Sequence, residues 1–329
     1  MICEYPEYYE KFRCIGGKCP DTCCAGWEVD VDADSAAYYR GIRGEFGERL
    51  RKHMKSDGDG CYFPLTEDRR CPFLNSGNLC DIYTALGEES LCQVCTEYPR
   101  YFMNIGNYEQ IDMSLSCMEL ARIFFEDTGD IRYIRAENDA EGEMLRPEDT
   151  ELLTEVMALR NESIRVLQDR TIPFPDFLYE IAGMTDTSFP ELQEPEIRKA
   201  VDEEILQLME KFEILDERWS RAVSEVREHL PETEDTEAEF MQSVPEAETW
   251  FRRLSVYLVY RYYIDTCLNH DIEKQQRLVF RSIRMIKLLC VSEYLRNGHK
   301  FGIGDMTERA HLFSKEVEHS EENLEYIKE

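Results

Sequence analysis

The sequence predicts a mostly α protein: an irregular, cysteine-rich N-terminal domain with little β structure, followed by an α-helical bundle domain. Three observations carry that expectation. Eleven of the 13 cysteines stand at or before Cys117, leaving only Cys267 and Cys290 behind. Glycine-bearing turn stretches, CIGG, SDGDG, NSGN and IGNY, crowd the same region. From Arg146 onward, apolar residues recur at helical spacing instead.

These features divide the chain into a cysteine-rich domain at 1–127, a linker at 128–145 and a helical domain at 146–329. Within the first part, short helices are expected at 33–54, 81–86 and 118–126. The irregular backbone between them needs support beyond a small apolar core, which a metal site can supply. In the second part, ELLTEVMALRNESIRVLQDR puts Leu152, Val156, Leu159, Ser163 and Val166 on one face. That helix should stop before Pro173 and Pro175, since proline removes a backbone donor and blocks the preceding turn. A second helical stretch follows, with Pro195 near its start and Pro231 past its end. PETEDTEAEF reads as an acidic solvated loop. Two further helices occupy AETWFRRLSVYLVYRYYIDTCLNH and EKQQRLVFRSIRMIKLLCVSEYLRNG, the latter closed by Gly298, and a last one runs from about Asp305.

Composition narrows the function classes. Sixty-eight acidic residues against 38 basic ones give a net charge of −30, which would repel nucleic-acid phosphates, so no nucleic-acid partner is expected. No apolar run reaches the ~18 to 20 residues of a membrane span, and LSVYLVY, flanked by Arg252, Arg253 and Arg261, is far too short. The opening MICEYPEYYEKF has neither a basic n-region nor an apolar h-region and does not read as a signal peptide. The expected compartment is therefore cytoplasmic, where thiols stay reduced and an odd cysteine count does not suggest a disulfide framework.

The cysteines fall into clusters: Cys14, Cys19, Cys23 and Cys24; Cys71 and Cys80; Cys92 and Cys95; and Cys117. Thiolate is a soft donor that selects Zn²⁺ or iron–sulfur clusters over Mg²⁺ or Ca²⁺. Ligands three to five residues apart can converge on one centre, and Gly16, Gly17, Pro20, Pro72 and Pro99 can pin the backbone this requires. One iron–sulfur cluster takes four cysteines, so the set allows one cluster with packed bystanders or two centres. Adjacent residues usually point apart, which gives Cys23 and Cys24 different roles. Spacing alone leaves iron–sulfur and zinc both open. The C-x₃-C-x₂-C arrangement of radical S-adenosylmethionine enzymes is absent, because Gly26 stands where its third cysteine would be.

The order C-x₄-C-x₃-C-C-x-G-W, C-P-F-L, C-x-I-Y, C-x-x-Y-P-R and L-S-C-x-E, with FSKEVEHSEENLE near the end, closely resembles the flagellin lysine N-methylase family. The cysteine-rich half is similar to a broader group of iron- or zinc-chelating proteins. The resemblance implies N-methylation of lysine ε-amines on flagellin, S-adenosylmethionine as methyl donor and a [4Fe-4S] cluster, with zinc as the alternative metal. The cysteines that match the pattern are Cys14, Cys19, Cys23, Cys24, Cys71, Cys80, Cys95 and Cys117. Cys92 stands where the pattern has none and Cys3 lies outside it, so both read as extra thiols. Met118 replaces the proline of the family's S-C-P-E.

Lysine methylation needs a neutral amine and an aligned donor. Trp27, Tyr98, Tyr101 and Phe102 adjoin the clustered cysteines and are candidates to line the donor's channel, the competing reading being that they pack the small core. Arg100 could grip the donor carboxylate as a bidentate partner or serve in a structural ion pair. No glycine-rich nucleotide fingerprint is present; FGIGDM follows a helix rather than a strand. Glu316 and His319 form one E-x-x-H spacing, whereas di-iron bundles use two, so they read as a surface helix pair. The competing function is a non-catalytic iron–sulfur or zinc-binding module carrying a helical partner-docking domain.

Overall fold

A computed structural model gives the structure, which describes every residue except 59, 173 and 175–194. Pro173 and Pro175, expected to end a helix, lie outside the described residues. Helix accounts for 59% of the structure and strand for 11%, so the chain is mostly α as its periodicity requires. It forms two compact units. A cysteine unit comprises Phe12–Tyr101 and Cys117–Leu120, and a helical unit comprises Met1–Lys11, Phe102–Ser116 and Ala121–Glu329.

The cysteine unit holds a three-stranded antiparallel sheet in which Cys61–Phe63 lies between Val29–Val31 and Lys55–Ser56. Helices follow at Ala33–Gly41, Gly44–His53, Asp81–Leu86 and Gln93–Glu97. The single helix expected over 33–54 is two, because Gly44 adopts a left-handed φ of +81° that a continuing helix cannot contain. Asp32 caps the first by accepting the Ser35 N–H at 2.9 Å, and it also accepts the Gln93 N–H at 2.8 Å, tying two helix starts together. Val29, Val31, Tyr39, Leu50, Phe63, Phe73 and Ile82 form the core, and Cys71 and Cys92 are buried among them.

The helical unit contains a four-stranded sheet ordered Arg100–Ile105, Tyr108–Met113, Ile2–Pro6 and Tyr133–Glu137, the first of these strands joining it from Phe102 onward. Ile2–Pro6 runs parallel to the second of these and antiparallel to the last. The plain linker expected at 128–145 therefore includes a strand, whose register pairs Ile2 with Glu137 and Pro6 with Tyr133. Glu4 is buried on this sheet and pairs with buried Arg160, whose guanidinium also donates to the Tyr108 hydroxyl at 3.0 Å.

The long helix Ala247–Tyr263 buries nearly every side chain, and Ile272–Arg296 lies against it. Arg252, Arg253 and Arg261 are buried. Arg252 donates to the Leu167 carbonyl at 3.1 Å, satisfying an orphan acceptor at the end of the helix Pro147–Gln168. Arg261 pairs with Asp112 at 2.8 Å and Glu318 at 3.1 Å. No helix among the described residues is long and apolar enough to cross a membrane.

Three other expectations change. The stretch 195–230 splits into Pro195–Met209 and Glu217–His229, with Asp216 capping the second through the Arg218 N–H. PETEDTEAEF is no solvated loop; it enters the helix Thr233–Ser243, where Glu237 is buried because Arg284 (2.6 Å) and Lys287 (3.1 Å) neutralise it. The terminal helix is likewise two, Ile303–Val317 and Glu321–Lys328, restarted by Ser320.

Candidate functional site

The clustered cysteines all belong to the cysteine unit. Gly16, at φ +53°, turns the chain so that its N–H reaches the Cys14 sulfur at 3.4 Å and its carbonyl accepts the Cys19 N–H at 2.9 Å. Cys24 is laid alongside Cys71, whose N–H donates to the Cys24 carbonyl at 2.8 Å, next to a bridge between Ala25 and Arg70. Leu74 bridges Cys80 and returns the CPFLNSGNLC loop on itself. Cys92 and Cys95 lie one helical turn apart and share a sulfur–sulfur hydrogen bond at 3.4 Å. All thirteen cysteines are free thiols.

The thiols perturb one another. A hydrogen bond between the adjacent thiols of Cys23 and Cys24 pushes Cys23 well up and, with Thr22 and Arg70, lowers Cys24 to about 7. Burial pushes Cys71 up to about 12 and Cys117 up to about 11. Burial also raises Cys19 and Cys80. Cys92, read from the sequence as an extra thiol, sits in the same buried cluster as Cys71. Its Cys-x-x-Cys spacing from Cys95 was the available signal.

Among the described residues, no group of three or more His, Cys, Asp or Glu side chains is arranged to hold a single metal ion. The chemistry of the donor set still fits a soft centre. The grouped donors are thiols alone, and the unit's histidine, His53, faces the edge of Phe73 instead. A polynuclear cluster interposes iron and sulfide between its protein ligands, so it does not require the sulfurs to converge on one point.

The remaining candidates surround these thiols differently. Trp27 is exposed, with its indole N–H donating to the Cys23 carbonyl at 2.7 Å, which holds the ring beside the cysteine pair. Tyr98 precedes a cis proline, and its N–H donates to the Val94 carbonyl at 3.1 Å. Arg100 stacks its guanidinium on Phe12 at 5.4 Å and donates to the Glu97 carbonyl at 3.4 Å. Tyr101 and Phe102 are exposed. Glu316 is not a surface residue: it is fully buried and accepts the backbone N–H groups of Leu215 and Asp216, while His319 hydrogen-bonds Ser116 at 2.7 Å.

The cysteine unit also carries an open cavity of 690 Å³ lined by Asp30, Asp32, Asp57, Glu97, Arg40 and Tyr62. The helix Gln93–Glu97, which bears Cys95, forms part of its wall. Sequence reading did not single out these carboxylates, which come from three separate segments.

Residues 180–329 match the FliB lysine N-methylase C-terminal domain. Over this part the chain is similar to the FliB lysine N-methylase family. Lysine-N-methylases of Salmonella typhimurium and Salmonella choleraesuis are each 27% identical over 130 residues, covering 37% of this chain and 32% of theirs. The flagellar biosynthetic protein FliU of Salmonella muenchen is 27% identical over 130 residues, 37% of this chain and 76% of its own. The match thus spans about a third of the length of the curated lysine-N-methylases. No solved structure matches.

Proposed function

We propose that the chain is an S-adenosylmethionine-dependent N-methyltransferase acting on lysine ε-amines of flagellin, with a [4Fe-4S] cluster held by the cysteine unit. The observation that carries this reading is the match of residues 180–329 to the lysine N-methylase C-terminal domain. The thiol-only donor set supports the cluster, and the acidic cavity beside it supports a cationic substrate.

The transfer breaks a sulfur–methyl bond and forms a nitrogen–methyl bond, so the lysine must first lose a proton. A free lysine, with a pKa of ~10.4, holds that proton at neutral pH. Asp30, Asp32, Asp57 and Glu97 would attract the ammonium and keep it charged, which suits capture of the side chain and not its deprotonation. Trp27, fixed beside Cys23, would present a ring face to a sulfonium or methylated ammonium. Arg100 and Tyr98 remain the positions proposed to face the donor, Arg100 by its charge. A cluster bound to Cys14, Cys19, Cys23, Cys24, Cys71, Cys80, Cys95 and Cys117, or to four of them, would supply an open iron for the donor's amino and carboxylate groups.

The test is anaerobic incubation of the purified chain with labelled S-adenosylmethionine and unmethylated flagellin, followed by mass analysis of lysine peptides. Label on flagellin lysines is expected. Label absent from flagellin, with the chain folded and metal-loaded, would refute the activity.

A further inference from the structure

The chain is acidic, with 68 acidic residues against 38 basic ones, yet one stretch of the cysteine unit has the opposite sign. Arg40, Arg43, Arg49, Arg51, Lys52 and Lys55 crowd residues 40–55, against Glu45 and Glu48 alone. All of these cations except Arg49 are exposed. Arg49 pairs with Asp81 at 2.7 Å, whereas among the described residues the other five hold no carboxylate.

The fold gathers three of them at the junction of the helices Ala33–Gly41 and Gly44–His53. Arg51 turns back and donates to the Ile42 carbonyl at 2.6 Å and the Arg40 carbonyl at 3.3 Å, acceptors left open at the end of the first helix. Gly47 permits this approach, since a Cβ there would lie 2.0 Å from the Ile42 oxygen. Helix-end capping accounts for Arg51. It does not account for Arg43 and Lys52, whose side chains make no hydrogen bond among the described residues.

Arg40 joins this patch to the acidic cavity. Its guanidinium donates to the Cys61 sulfur at 3.1 Å, and both residues line the cavity with Asp30, Asp57 and Glu97. The carboxylates there are not equally available. Asp32 gives one oxygen to the Ser35 N–H and the other to the Gln93 N–H. Asp57 accepts the Gly60 N–H at 3.1 Å, and Glu97 accepts the Gln93 amide at 2.8 Å. The Asp30 carboxylate is exposed and accepts no hydrogen bond among the described residues. One cavity wall thus offers a carboxylate for a cation and a guanidinium for an anion. A lone anion would be repelled by Asp30, and a lone cation by Arg40. The single carboxylate of a small zwitterion would leave Arg43 and Lys52 unmet. A lysine with acidic neighbours meets all of them, since successive Cα atoms are only ~3.8 Å apart.

We infer that the cysteine unit recognises lysine within an acidic segment of its protein partner. The ε-ammonium enters the cavity at Asp30, and the flanking Asp or Glu side chains meet Arg40, Arg43 and Lys52. This rests on the lysine-acceptor part of the proposed function and names the class of lysine selected.

The experiment is fluorescence anisotropy of the full chain with labelled peptides carrying one central lysine flanked by aspartates or by serines. Exposed ion pairs are individually weak, so two or three of them should make the aspartate-flanked peptide bind about five- to tenfold tighter. The net charge of −30 taken alone gives the reverse order. Arg43→Ser/Lys52→Ser should remove most of the preference, and Asp30→Asn should weaken both peptides. Serine flanks that bind as tightly as aspartate flanks to the wild type would overturn the inference. So would a preference undiminished in Arg43→Ser/Lys52→Ser, or equal binding of the aspartate-flanked peptide with its lysine acetylated. A flanking preference without methyl transfer would refute the enzyme reading alone, and methyl transfer to flagellin without the preference would refute this inference alone.

Discussion

Glu316 gives a measurement that separates hydrogen bonding from charge burial. Its carboxyl is fully buried and accepts the Leu215 N–H at 3.1 Å and the Asp216 N–H at 2.8 Å, just ahead of the helix Glu217–His229. Glu316→Ala leaves both donors buried without an acceptor, at about 1–3 kcal/mol each. Allowing for partial relaxation, about 3 kcal/mol of stability should be lost at pH 5. Burial also raises the carboxyl from 4.5 to about 7. The folded state therefore binds this proton more tightly than the unfolded chain. Its contribution is complete below pH 4.5 and is lost as pH rises to about 7, an effect of up to roughly 3 kcal/mol. The alanine penalty should accordingly shrink toward zero at pH 8. Glu316→Gln, which keeps one acceptor and cannot ionise, should be nearly neutral at pH 5 and stabilising at pH 8. Urea unfolding followed by tryptophan fluorescence can report this, since Trp219 is buried and stacked on Phe212 at 5.7 Å. A glutamine variant that is more destabilising at pH 8 than at pH 5 would refute the argument.

Arg284→Met should cost about 3–5 kcal/mol in the same unfolding assay, because it leaves Asp202 and Glu237 buried with one partner too few. Asp32→Ala removes the acceptor shared by the Ser35 and Gln93 N–H groups and should cost about 1–2 kcal/mol, read as faster proteolysis within 12–101. If flagellin is the substrate, the −30 charge predicts that its association rate falls as salt rises. A rate indifferent to ionic strength, measured by stopped flow, would show that steering plays no part.

Much of the helical unit is legible because long apolar periods survive their context. The helix Ile272–Arg296 follows from its apolar spacing and from Gly298 beyond its end. Local composition fails where tertiary partners decide. The acidic stretch after Pro231 looks solvated until Arg284 and Lys287 arrive from a distant helix to neutralise Glu237. Glu316 looks like a surface residue because nothing near it in sequence reveals that the Leu215 and Asp216 N–H groups need an acceptor. In the cysteine unit, the spacing marks out the thiols but not their grouping. That grouping depends on the Gly16 turn and on the pairing of Cys24 with Cys71, and the latter joins residues forty-seven apart.

The acidic cavity constrains how a lysine could react there. Carboxylates stabilise an ammonium in proportion to their proximity, so Asp30, Asp57 and Glu97 would raise the pKa of a captured lysine. Methylation needs the opposite shift, which desolvation supplies. Val31, Ala36 and Val94 form an apolar part of the same wall, and Val31 and Ala36 belong to the buried core that Cys71 and Cys92 share. A lysine moving from the carboxylates toward that wall would exchange charge stabilisation for desolvation, and its proton would become easier to remove. Under the proposed function, capture and activation are therefore different positions of one side chain. Neutralising Asp30 and Asp57 should then weaken flagellin binding more than it slows transfer from bound substrate.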